Sequence, residues 1–142
     1  MGTRSRIGIQ LVDESILSVY HHWDGYPEWL GRILKTHYNS RDLASELIDG
    51  GDMSVCWTDD NFRNSDGKIE KKAEYGPQYY SERGENCPPR LDNNVSEYVN
   101  KNNNEEFAYI FRDGAWICYN MNEFDDAKAP EIVEIPNGAL AV

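Results

Sequence analysis

Residues Tyr20 to Gly31 read YHHWDGYPEWLG, with two adjacent histidines, two tryptophans, two tyrosines and an aspartate within twelve positions. A histidine titrates near neutral pH, so His22 with Asp24 close by has the makings of a general base. The competing reading is structural: a hydrogen-bonded histidine and an Asp-Gly turn that organises the start of a helix. In a strand, neighbouring side chains point to opposite faces, so His21 and His22 cannot easily share one site. His22 falls with Ile16, Ser18 and Tyr20, and His21 with Val19 and Trp23. No nucleophile stands at a recognisable spacing, and GxSxG, P-loop, HExxH and CxxC patterns are all missing from the chain. Catalytic residues are therefore not assigned; were the protein an enzyme, they would be His22 and Asp24.

Two further groups could bind rather than react. Arg4 and Arg6 project from one face of the first strand-like stretch, ~7 Å apart by strand geometry. Two guanidiniums so close repel unless an anion sits between them. That anion is either a carboxylate of the fold, such as Asp24 or Glu28, or a phosphate gripped by arginine's planar fork. In YYSERGENCPPR, Tyr79, Tyr80, Arg83 and Arg90 combine stacking faces with anion-binding forks. The structural alternative is a packed surface loop in which Arg83 pairs with Glu82 or Glu85. The binding expectation is thus a site of Arg4, Arg6, His22, Trp23, Asp24, Tyr79, Tyr80, Arg83 and Arg90 for a small nucleotide-like ligand. No metal and no cofactor are expected.

Charge narrows the partners. The formal net charge is −11, and the first 48 residues carry five bases against six acids. Nearly all the negative excess therefore lies beyond them. Such a chain repels phosphate backbones at long range, so direct binding to duplex nucleic acid is not expected. An acidic surface that imitates nucleic acid is the alternative. Cys56, Cys87 and Cys118 are odd in number and about thirty residues apart, which reads as reduced thiols in a cytoplasmic protein. No apolar run approaches the ~20 residues that cross a membrane, and the N-terminus lacks the apolar core of a signal peptide.

The elements that must position these residues are legible in the periodicities. Thr3–Val12 alternates with period two, as does Ile16–Trp23, and the short "VDES" turn between them predicts an antiparallel hairpin. Pro27 suits a first helical turn, and Trp29, Leu30, Ile33, Leu34 and Tyr38 recur at helical spacing, predicting a helix over Pro27–Tyr38 with Trp29 and Ile33 in the core. Ser40 can cap a second helix, Ser40–Ile48, which Gly50-Gly51 ends. Met53–Thr58 predicts a short strand, and a short helix after Asp92 turns Val95, Tyr98 and Val99 inward. Asp113-Gly114 between two aromatic alternating runs predicts a second hairpin, Phe107–Arg112 with Ala115–Asn120. The tail PEIVEIP supplies an edge strand. The whole is one α+β domain over residues 1–142: an antiparallel sheet of two hairpins with two or three helices on one face. A polar loop at 59–74 is expected to be mobile. Base rates for symmetric assemblies favour a homodimer or higher homo-oligomer.

The segments TRSRIGIQ, SVYHHWDGYPEWLGRIL and LIDGGDMS resemble a family of small, largely uncharacterised proteins encoded by phages and prophages. The shared pattern is the RSRI strand at Arg4–Ile7, the HWDGY turn at His22–Tyr26 and the helix from Gly31 to Tyr38. The resemblance covers roughly the first 55 residues. It implies a viral origin and a setting in the host cytoplasm, but no activity and no catalytic residues. Small acidic phage proteins suggest host takeover or counter-defence, which makes sequestration of a phosphorylated signalling ligand the expected function. The alternatives are an acidic inhibitor of a host protein and a small nucleotide-cleaving hydrolase.

Overall fold

The computed structural model describes residues 3–56, 78–100, 105–122 and 127–136. The expected polar loop at 59–74 lies outside them, as does Thr58. The alternating runs form the strands they predict: β1 at Ser5–Gln10 and β2 at Ile16–His21 pair antiparallel from Ser5↔His21 to Gln10↔Ile16. β6 at Phe107–Arg112 and β7 at Ala115–Asn120 form the second hairpin around Asp113-Gly114, both of positive φ as a tight hairpin turn needs. The tail strand β8, Glu131–Val133, pairs with β7.

How the hairpins join was not legible locally. β1 lies beside β6 in parallel, with Ser5 opposite Phe107 and Ile9 opposite Phe111, so the two hairpins share one sheet. β3 (Met53–Val55) and β5 (Arg90–Asp92) both line the free side of β2, parallel at His21 and antiparallel along Ile16–Ser18 respectively. β4 (Gln78–Tyr79) pairs with β3. The sheet is thus mixed and mostly antiparallel, with eight strands among the described residues.

The two longer helices pack on one face. Pro27–Gly31 is a π-helical turn that runs into α1, Arg32–His37. α2, Arg41–Asp49, begins at the Ser40 cap, whose hydroxyl accepts from Leu43 N–H. Leu30, Ile33, Leu34, Ala44, Leu47 and Ile48 bury against Ile7, Ile9, Val19 and Tyr109 of the sheet. Ile33 is core as expected, whereas Trp29 is only partly buried at its edge. The π turn shifts side-chain phase by nearly one residue, which moves the apolar stripe onto Leu30 and Leu34. The third helix, α3 (Val95–Tyr98), lies on the opposite face, where Tyr98 packs with Ile16, Ala108, Ile110 and Met121. No described helix is long and apolar enough to cross a membrane.

The turn after β2 is held tightly. Gly25 N–H donates to Thr3 O at 2.9 Å, and Gly25 O accepts from Tyr109 O–H at 2.7 Å. A methyl group on Gly25 would stand 2.5 Å from Ser5 Oγ and 2.6 Å from that same Thr3 oxygen, closer than carbon tolerates and with backbone as well as a side chain in the way. Gly25→Ala is therefore expected to cost ~1–3 kcal/mol, read as a lower urea midpoint at unchanged slope. An unchanged midpoint would show that this turn yields freely.

Candidate functional site

The face of the sheet away from α1 and α2 gathers residues from four separate segments. Cross-strand register puts Arg6 opposite Tyr20, and Ser18 opposite both Gly8 and Arg90. Directly opposed residues share a face, so Arg6, Ser18, Tyr20 and Arg90 stand together. Tyr20 lies within electrostatic reach of Arg4, Tyr80, Asp52 and Glu105. Tyr98 lies within reach of Arg6, Glu105, Arg90 and Asp92. His22 continues the same face beyond the strand end.

An aromatic row runs along this face. Tyr20 Oη and His22 Nδ1 are 2.7 Å apart, and the His22 ring meets Trp23 edge-on at 4.6 Å between centroids. Burial pushes the Tyr20 phenol up to about 12, so it keeps its proton at neutral pH. That proton is available to the short contact with His22 Nδ1. Trp23 is 45% exposed, an unusual position for a large apolar ring. The row is fixed in orientation and open to solvent at its outer end.

The cations are less available than their number suggests. Arg6 is buried, with Nε donating to Ser18 Oγ at 3.0 Å and Nη2 to Ser18 O at 3.3 Å. Its Nη1 stands 3.6 Å from Glu105 Oε1, and Glu105 is buried too. The anion expected beside Arg6 is thus a carboxylate of the fold, and Arg6 serves as a structural cation. Burial raises the Glu105 pKa, opposed by Arg6 and then Arg90. Arg90 holds Asp92 through Nε and Nη2, both at 3.0 Å, with its side chain 35% exposed. Arg90 is thus already engaged by Asp92, and Arg4 is half-buried.

Of the expected site residues, Arg4, His22, Trp23, Tyr80 and Arg90 come together here. Tyr79 does not. It pairs with Met53 and so faces the helices, its O–H donating to Leu47 O at 2.6 Å and its ring covering Gly50. Asp24 occupies a left-handed conformation (φ 56°) in the turn after β2, a position that organises backbone. The side chain of Arg83 lies outside the described structure. Sequence reasoning missed Tyr20, Ser18 and Glu105. Tyr20 was detectable, since it shares the period of Ser18 and His22 and stands opposite Arg6. Glu105 carries no local signal.

His21 stands on the other face, fully buried. Its Nε2 accepts from Cys56 N–H at 2.9 Å, and Nδ1 faces Ser5 Oγ at 3.3 Å. Burial, with His22 adding to it, lowers its pKa to about 3, so it is a neutral core histidine. Cys56 and Cys118 are likewise buried, their thiols pushed up to about 12 by burial, which leaves little thiolate. The described residues contain no group of three or more His, Cys, Asp or Glu side chains able to hold a metal ion. Comparison with known proteins finds no protein-family model, no curated protein and no solved structure that this chain matches.

Proposed function

We propose that the protein binds a small phosphorylated, nucleotide-like ligand at the Tyr20–His22–Trp23 end of the sheet face opposite α1 and α2, and holds it without consuming it. One observation carries this reading: an aromatic row, half-buried at Tyr20 and His22 and exposed at Trp23, sits on the same face as Arg4, Tyr80 and Arg90. A base can stack on Trp23, while Arg4 offers a fork to a phosphate. In a chain of net charge −11 the attraction must be short-ranged, made by contacts partly shielded from water. The resemblance of the first 55 residues to phage proteins supports a role in host takeover or counter-defence. On that reading the ligand is a nucleotide signal of the host cytoplasm. The proposal also carries a homodimer, for which exposed Leu91 and Ile132 supply apolar surface.

Calorimetry against a panel of cyclic and linear nucleotides tests it, followed by chromatography of the recovered ligand. Arg4→Ala is expected to cost ~1.5–3 kcal/mol of binding, about ten- to a hundredfold in affinity. Ligand recovered intact supports capture; cleaved product moves the reading to a hydrolase using His22 and Asp24. If no nucleotide binds, capture is wrong. The acidic-inhibitor reading then takes its place, supported by the exposed carboxylates Asp42, Glu46 and Asp49 along α2.

A further inference from the structure

The parallel pairing of β1 and β6 has a second effect, at the opposite end of these strands from Tyr20 and His22. It brings the C-terminal ends of both strands, Gln10 and Arg112, to one end of the sheet. The turn after each strand stands there too. Between the turns lie two clefts open to solvent, of about 480 and 260 Å³. Both are lined by Gln10, Glu14, Arg112 and Asp113, so they adjoin across these four residues. Arg41, at the start of α2, walls the smaller one. Asn94 and Ser96, at the start of α3, wall the larger one.

The charges in the smaller cleft balance in type but are not closely paired. Arg112 Nε lies 3.9 Å from Asp113 Oδ2, too far for a hydrogen bond. Arg41 Nη1 donates at 3.0 Å to Gln10 O, a neutral partner that leaves its charge uncancelled. Glu14 sits at φ 72°, a left-handed conformation that a residue with a side chain seldom adopts, within the turn closed by Leu11 N–H to Ser15 O. Glycine would hold this turn without strain, so local backbone preference does not account for a glutamate there. What the glutamate adds is a carboxylate at an exposed residue that lines both clefts. A simple anion would meet Glu14 and Asp113, and a simple cation would meet Arg41 and Arg112. A small molecule bearing both charges satisfies all four.

We infer that this end of the sheet is a second binding site, for a small zwitterion of the α-amino acid class. The ligand carboxylate lies toward Arg41 and Arg112, and its ammonium toward Glu14 and Asp113. The smaller cleft, about 260 Å³, has room for a molecule of that size. The site is independent of the nucleotide-binding reading, since it shares no residue with that face.

The test is amide chemical-shift mapping of the ¹⁵N-labelled full chain, titrated separately with each of the common amino acids. At least one is expected to give saturable shifts confined to residues 10–14, 41 and 112–114. Glu14→Gly relieves the left-handed strain and is expected to keep or raise the melting temperature while weakening binding tenfold or more. Arg112→Met is expected to weaken it similarly. The inference is overturned if no amino acid gives saturable shifts there, or if sodium chloride alone reproduces them. It is equally overturned if Glu14→Gly binds as tightly as the unaltered chain.

Discussion

Replacing Glu105 by alanine is expected to destabilise the fold by ~3–5 kcal/mol, more than any other single charge removal on the open face. The reason lies in what remains behind. Arg6 is buried and donates twice to Ser18, both times to neutral oxygens, so Glu105 at 3.6 Å supplies the countercharge. Removing that carboxylate strands a guanidinium in a poorly solvated place. Removing both members and filling the space should cost far less, because the desolvation cost of two charges disappears with them. Urea unfolding of Glu105→Ala, and of the double variant Arg6→Leu with Glu105→Leu, measures the contrast. A loss below ~1 kcal/mol in the single variant, the scale of a surface pair, would mean that water reaches Arg6 after all.

Stability is expected to fall as pH drops from 7.5 to 5, by ~2 kcal/mol from His21 alone. The folded pKa, about 3, lies below the unfolded value of 6.5, with burial as the main cause. Between these values the unfolded chain binds a proton that the folded chain refuses. The contribution is therefore fully present above pH 6.5 and is lost progressively as pH falls toward 3. Geometry points the same way. Nε2 already accepts the Cys56 N–H, so a proton there would face another donor. Unfolding curves at several pH values, set against His21→Gln, isolate the effect from the carboxylates that titrate lower. A flat profile from pH 7.5 to 5, or a His21 ring that titrates near 6.5 by NMR, would place this histidine in water. Function is expected to be indifferent to the change, since His21 faces the helices and the proposed ligand face carries His22.

The elements themselves were legible because each depends on neighbours in sequence. Period two in Thr3–Val12 and Phe107–Asn120 puts alternate residues on one side of an extended chain, and burying one side then makes the strand. Ser40, Pro27 and Asp113-Gly114 act within a few residues of themselves, through a cap, a preset φ and a left-handed turn. The separation of His21 from His22 followed from the same alternation, and so did the common face of Arg4 and Arg6.

Tertiary structure alone decided which partner each face would meet. β1 reaches β6 across about a hundred residues, and no local pattern encodes a parallel pairing over that distance. That pairing places Glu105, just before β6, beside Arg6, and so turned an expected ligand-binding arginine into a buried structural one. The two-residue strand at Gln78–Tyr79 carries too short a period to read in sequence, yet its register assigns Tyr79 to the core side and away from the open face. Residue types and local spacing determined which side chains could bind an anion or stack on a ring. Which of them remain in reach of a ligand was decided by long-range pairing, because burial and countercharge belong to the whole fold.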